Sequence, residues 1–185
     1  MTSDGLVATS SQTVGPFFHV GPGATDALGR MAPPSTPGDH ITLRVRVLDG
    51  EEAAVPDALV ELWQADGEGR YASPSPEGTP PAFSGFGRLG TDGDGWCAFA
   101  TIRPGIVAGT GQAPHVNVCL MARGLQRHLY TRLYFDGDTG LETDPVLSLV
   151  AATRRDTLLA RQTSPAVWEL VIRLQGDGET VFFDL

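Results

Sequence analysis

Short runs in which apolar and polar residues alternate dominate this chain. The clearest is Ile41-Thr42-Leu43-Arg44-Val45-Arg46-Val47-Leu48. Period two puts its aliphatic side chains on one face and its charged ones on the other, so it predicts a strand with one buried face. Asp49-Gly50 closes it with turn chemistry. The same reasoning predicts strands at Ala58–Gln64, Trp96–Ile102, His115–Met121, His128–Phe135, Val167–Leu174 and Thr180–Asp184. Asp92-Gly93-Asp94-Gly95 is a tight turn ahead of Trp96, too short and without the later Glu for a calcium loop. The best helical candidate is Asp144–Ala160, with Pro145 opening one short helix and Thr153–Ala160 forming a second. Residues 72–85 hold four prolines and three serines and read as a long loop.

The 23 glycines and 14 prolines cut the chain into these short pieces and leave no room for long helices. The expected fold is therefore mainly β: an antiparallel β-sandwich with one or two short helices. Residues 1–40 carry little periodicity and are broken at Gly15-Pro16, Gly21-Pro22-Gly23 and Pro33-Pro34. They predict an N-terminal arm that packs on a partner, since Phe17 and Phe18 are poor choices for a free tail. The sandwich is expected over residues 41–185, in a single domain overall.

Charge narrows the function. With 22 acidic against 13 basic side chains the net charge is -9, and such a surface repels phosphate backbones, so no nucleic-acid partner is expected. No apolar run approaches the ~18 residues of a membrane span, and no charged start followed by an apolar run marks a leader. A cytoplasmic protein with no membrane partner is the expectation. Cys97 and Cys119 lie in apolar stretches and are expected to be buried, reduced thiols.

Nucleophile elbows, phosphate loops and Cys-x-x-Cys pairs are absent from the sequence. What remains is His115, two residues before Asn117 on a strand, so that both side chains share one face. A second imidazole there would make a metal pair. An amide is a weak ligand for a transition metal, and a hydrogen-bonded interior histidine is the better reading of His115. Glu61 reads as a paired strand carboxylate rather than a catalytic acid.

Val60-Glu61-Leu62-Trp63-Gln64-Ala65-Asp66 with Gly69 and Tyr71, then Thr91–Trp96 and Thr101–Gly105, resemble the signature of the intradiol ring-cleavage dioxygenases. Leu133-Tyr134-Phe135 and the ending Gln175–Asp184 are similar to the branch of that family that cleaves protocatechuate (3,4-dihydroxybenzoate). The likeness runs from about Ser11 to the C-terminus, and Val45 departs from a common glycine.

Catalytic members hold Fe(III) with two tyrosines and two histidines. The resemblance puts those positions in the tyrosine-free 72–85 loop, at Val107, at His115 and at Asn117, so three of four ligands are missing and no metal is expected on this chain. It implies an iron-free alpha chain paired with a homologous, iron-bearing beta subunit. The pair would use O₂ to open protocatechuate to 3-carboxy-cis,cis-muconate in aromatic catabolism (the β-ketoadipate pathway). It further implies that Thr13, Gly15, Pro16 and Arg123 contact substrate in the partner's pocket. Two other readings are a self-sufficient dioxygenase with displaced ligands and a non-enzymatic β-sandwich binding module.

Overall fold

The computed structural model describes residues 9–15, 17–18, 26–73 and 83–184. Among the described residues eight strands form: β1 (His40–Leu48), β2 (Leu59–Gln64), β3 (Phe86–Gly90), β4 (Trp96–Ile102), β5 (His115–Met121), β6 (Leu129–Phe135), β7 (Leu159–Ser164) and β8 (Val167–Arg173). They are hydrogen-bonded in the order β3-β2-β5-β6-β7-β8-β1-β4. The join between β6 and β7 is only two residue pairs long, Tyr134 with Leu159 and Phe135 with Ala160. The sheet therefore folds there into two four-stranded halves. The expected sandwich is present and mainly antiparallel, although β1–β8 and β6–β7 pair in parallel.

One core lies between the halves. Leu43, Val45, Val47, Phe99, Leu170 and Ile172 face Val60, Leu62, Val116, Val118, Leu120 and Leu133. Each full burial of such a side chain contributes about 1.5–3 kcal/mol. That gain fixes strand register, because a one-residue slip would turn every apolar side chain outward. Residues 30–32 join this core from the arm. Met31 and Ala32 are buried and both donate backbone N–H bonds to Ala100. Phe17, in contrast, is 80% exposed on this chain.

Two expected elements come out differently. The two short helices of the 144–160 segment form as 3-10 helices, Leu147–Leu149 and Ala152–Leu158, and the second stops before Leu159. The segment's last residues are drawn into β7, because burying Leu158 and Ala160 against β6 outweighs local helix preference. Thr180–Asp184 is extended but makes no strand. Thr180 bonds Arg173, Val181 bonds Thr131 and Thr157, and Phe183 bonds Tyr130, so the segment never follows one neighbour. Among the described residues no helix is long and apolar enough to cross a membrane.

Gln64 ties the halves together through the interior. Fully buried, it donates to the Ile102 carbonyl at 2.8 Å and accepts from the Thr101 hydroxyl at 2.9 Å. Replacing Gln64 with Leu leaves both partners buried and unsatisfied. The expected cost is about 1–3 kcal/mol, read as a fall in the urea midpoint at unchanged slope. An unchanged midpoint would show that these bonds carry no stability.

Candidate functional site

Strand register builds the site on the outer face of β3-β2-β5-β6. Phe86 lies opposite Trp63, Trp63 opposite Asn117, and Asn117 opposite Arg132. The neighbouring row is Arg88, Glu61, Cys119 and Tyr130. His115 and Tyr134 stand opposite each other one row beyond Asn117. Above this pavement lies a cavity of about 680 Å³. It brings together Val107, His115 and Asn117, as the spacing on β5 and the resemblance lead one to expect.

Two loops wall one end of the cavity. Gly69 sits at φ 79° against the carbonyl of Ile106, where any Cβ would lie 1.9 Å from that oxygen. Only glycine allows this approach. It carries Tyr71 and Val107 to the same rim. Tyr71 stacks at a 40° tilt on Trp63, with ring centroids 4.6 Å apart.

His115 Nδ1 is 2.8 Å from the Ala113 carbonyl, which can only accept, so Nδ1 carries the proton. Its Nε2 faces the Tyr71 hydroxyl at 3.5 Å, and that hydroxyl accepts from Asn117 Nδ2 at 3.1 Å. The chain Asn117–Tyr71–His115 spans the place where metal ligands would have to converge. Burial, chiefly, pushes the His115 pKa below its ordinary value; the Ala113 bond and Asp144 oppose this, and the Arg132 charge adds to it. The side chain is the hydrogen-bonded interior histidine expected from the sequence.

A ferric centre needs hard anionic oxygen donors beside its imidazoles. This site offers one imidazole, an amide, a valine and a phenol already held in hydrogen bonds, and that donor set does not fit. Among the described residues no three His, Cys, Asp or Glu side chains cluster as ligands.

Glu61 is paired across the strands with Arg88, as expected for a strand carboxylate. Cys119 departs from expectation. It is half-exposed on the outer face, because β5 alternates and Cys119 shares parity with His115 and Asn117. Partial burial, aided by Glu61, raises its thiol pKa to about 11, so it carries little thiolate at neutral pH. Cys97 is buried, with its thiol raised to about 12 by the same cause.

The second group of expected site residues lies at the other end of β5, about 20 Å from His115 at strand rise. Thr13 Oγ1 accepts the Gly124 N–H at 2.7 Å and approaches the Ala122 carbonyl at 3.5 Å. Arg123, 62% exposed, reaches Asp57 at 3.0 Å. Gly15 is exposed and accepts a turn hydrogen bond from Phe18. Pro16 lies outside the described residues, as do residues 74–82 of the long loop. Thr13 and Arg123 thus meet at one turn, and neither lines the large cavity. Sequence reasoning overlooked Arg132, Trp63 and Phe86 as a row. Their parity on adjoining strands was the available signal.

Residues 13–175 match the family model described as Dioxygenase. The chain belongs to the intradiol ring-cleavage dioxygenases. Within that family it is 41% identical to the protocatechuate 3,4-dioxygenase alpha chain of Pseudomonas putida, over 97% of each chain. It is also 35% identical to the beta chain from Burkholderia cepacia, over 67% of this chain and 56% of that one. Among solved structures, the dioxygenase domain of a carbohydrate-binding fusion from Streptomyces sp. SirexAA-E superposes with a TM-score of 0.65. It is 24% identical and the match covers 91% of this chain and 99% of that one, which supports the fold.

The lowered pKa of His115 has a consequence for stability. The unfolded chain takes up this proton first, so the contribution is complete above the ordinary histidine value and is lost as pH falls through it toward the folded value. The urea midpoint should drop between about pH 7.5 and about pH 5.5, and less so in His115→Asn. Equal drops in both proteins would remove His115 as the cause.

Proposed function

We propose that this chain is the iron-free subunit of a protocatechuate 3,4-dioxygenase, working with a homologous beta chain that holds Fe(III). The observation that carries this is the 41% identity to an alpha chain across 97% of both proteins. The donor set around His115, which does not fit a ferric centre, points the same way. In this reading the assembled enzyme opens the ring between its two hydroxyls. Both atoms of O₂ end in 3-carboxy-cis,cis-muconate. The pair works in the cytoplasm, in aromatic catabolism.

This chain's part is to bind and orient. Thr13, Gly15 and Pro16 are assigned as substrate contacts in the partner's pocket, and Arg123 meets the substrate carboxylate with its planar fork. The Thr13–Gly124 bond supports this, because it pins the arm beside Arg123 before any substrate arrives. The Arg123–Asp57 pair is exposed and worth at most about 1 kcal/mol, so Arg123 can exchange that partner for a better one. The exposed Phe17 supports an arm that packs against a second chain.

Arg123→Ala in the assembled enzyme should raise KM for protocatechuate roughly ten- to hundredfold, with a smaller change in kcat. Unchanged KM would take Arg123 out of the pocket. Removing residues 1–18 should impair assembly or substrate binding while the sandwich still folds; normal turnover by the truncated protein would contradict the role of the arm.

A further inference from the structure

We propose that the cavity over Asn117 is a second, non-catalytic binding site on this chain for a small aromatic carboxylate. Its walls are mainly apolar and aromatic. Trp63 stands 49% exposed on the sheet face, with Phe86 across the strand pair on one side and Tyr71 stacked on the other. An indole left half-bare in a cavity of about 680 Å³ offers a flat surface to a ring.

The polar anchor is Arg132. Its Nη1 donates to the Gln112 amide oxygen at 2.9 Å and to the Tyr134 hydroxyl at 3.3 Å. Both partners are neutral, and among the described residues no carboxylate is paired with this guanidinium. The nearest compensation is indirect, through Tyr134, whose hydroxyl donates to the buried Asp144. Among the described residues no partner meets Nε or Nη2, which form a fork that suits a planar carboxylate. One fork among apolar walls fits a single charge on a ring better than a phosphate, which asks for more donors.

Two carboxylates of this chain line the cavity. Glu61 is neutralised by Arg88 in the next row, and Asp184 follows Phe183, whose backbone bonds Tyr130, two residues along β6 from Arg132. Arg132, with neutral hydrogen-bond partners, draws the ligand's carboxylate, and Trp63 in the same row takes its ring. No reactive group meets it there. The Tyr71 hydroxyl is bound to Asn117 and His115, and Cys119 keeps its proton. The site holds its ligand without transforming it.

The proposal does not rest on the partner reading, since every residue belongs to this chain. Its test is to soak crystals of the full chain, with any partner it carries, in a concentration series of 4-bromobenzoate. Bromine anomalous scattering then reports occupancy at this cavity separately from any other site. The expected result is bromine over Trp63 with the carboxylate on Arg132. Half-occupancy should need at least about tenfold more probe in Arg132→Gln. Arg132→Lys, which keeps the charge but loses the fork, should fall between. Val107→Trp, at the rim and away from the core, should block the site in a folded protein. Bromine absent from the cavity, a partner side chain filling it, or occupancy indifferent to Arg132→Gln or Val107→Trp would each overturn the proposal.

Discussion

The alternation of β3, β2, β5 and β6 in one fixed register is the constraint on which the rest depends. Its inward parity, Leu62, Val116, Val118 and Leu133, is fully or almost fully buried. Burial of that set leaves the outward parity no freedom. Phe86, Trp63, Asn117 and Arg132 must then stand in one row on the other face. The site is thus a by-product of core formation, and it persists whatever chemistry its residues support.

That persistence explains why Val107, His115, Asn117 and Tyr71 meet over one cavity although their donors do not fit a ferric centre. His115 and Asn117 share a face because β5 alternates, and the loop packing at Gly69 brings Tyr71 and Val107 above them. Once Asn and Val stand at two ligand positions, the lone pairs that remain are better used among themselves. Asn117, Tyr71 and His115 satisfy one another in a hydrogen-bonded chain that leaves few buried polar groups unpaired. The turn after the far end of β5 brings Thr13 and Arg123 together, and neither lines this cavity. One strand thus separates two clusters of side chains, the cavity over Asn117 and the turn that joins Thr13 to Gly124.

Much of this was legible in the sequence. Trp96–Ile102 and His115–Met121 have the boundaries that period two and turn residues predict, because Gly95 and Pro114 precede them and their middles alternate between buried and part-exposed positions. Glu61 as a paired carboxylate and His115 as an interior histidine also follow from residue type and position. Long-range effects were not legible. Leu159 and Ala160, the end of the expected helix, become strand because they pair with Tyr134 and Phe135 of β6 while the residues after them pair with β8. Cys119 lies in an apolar run, yet parity with Asn117 turns it outward. Tyr71 comes from a loop whose path is set by backbone contact with residue 106, which no local pattern encodes. The row ending in Arg132 needs the pairing of four strands, and single-strand patterns do not show which strands are neighbours.

In the proposed assembly this chain keeps the family's fold and the homologous beta chain holds the iron. The most direct test is iron counted per polypeptide, with the visible tyrosinate-to-iron absorption recorded alongside, on the chain alone after exposure to ferric iron and on its complex with a homologous beta chain. The account predicts neither bound iron nor the absorption band in the chain alone, and one iron per beta chain in the complex. Stoichiometric iron with that band in the isolated chain would contradict it.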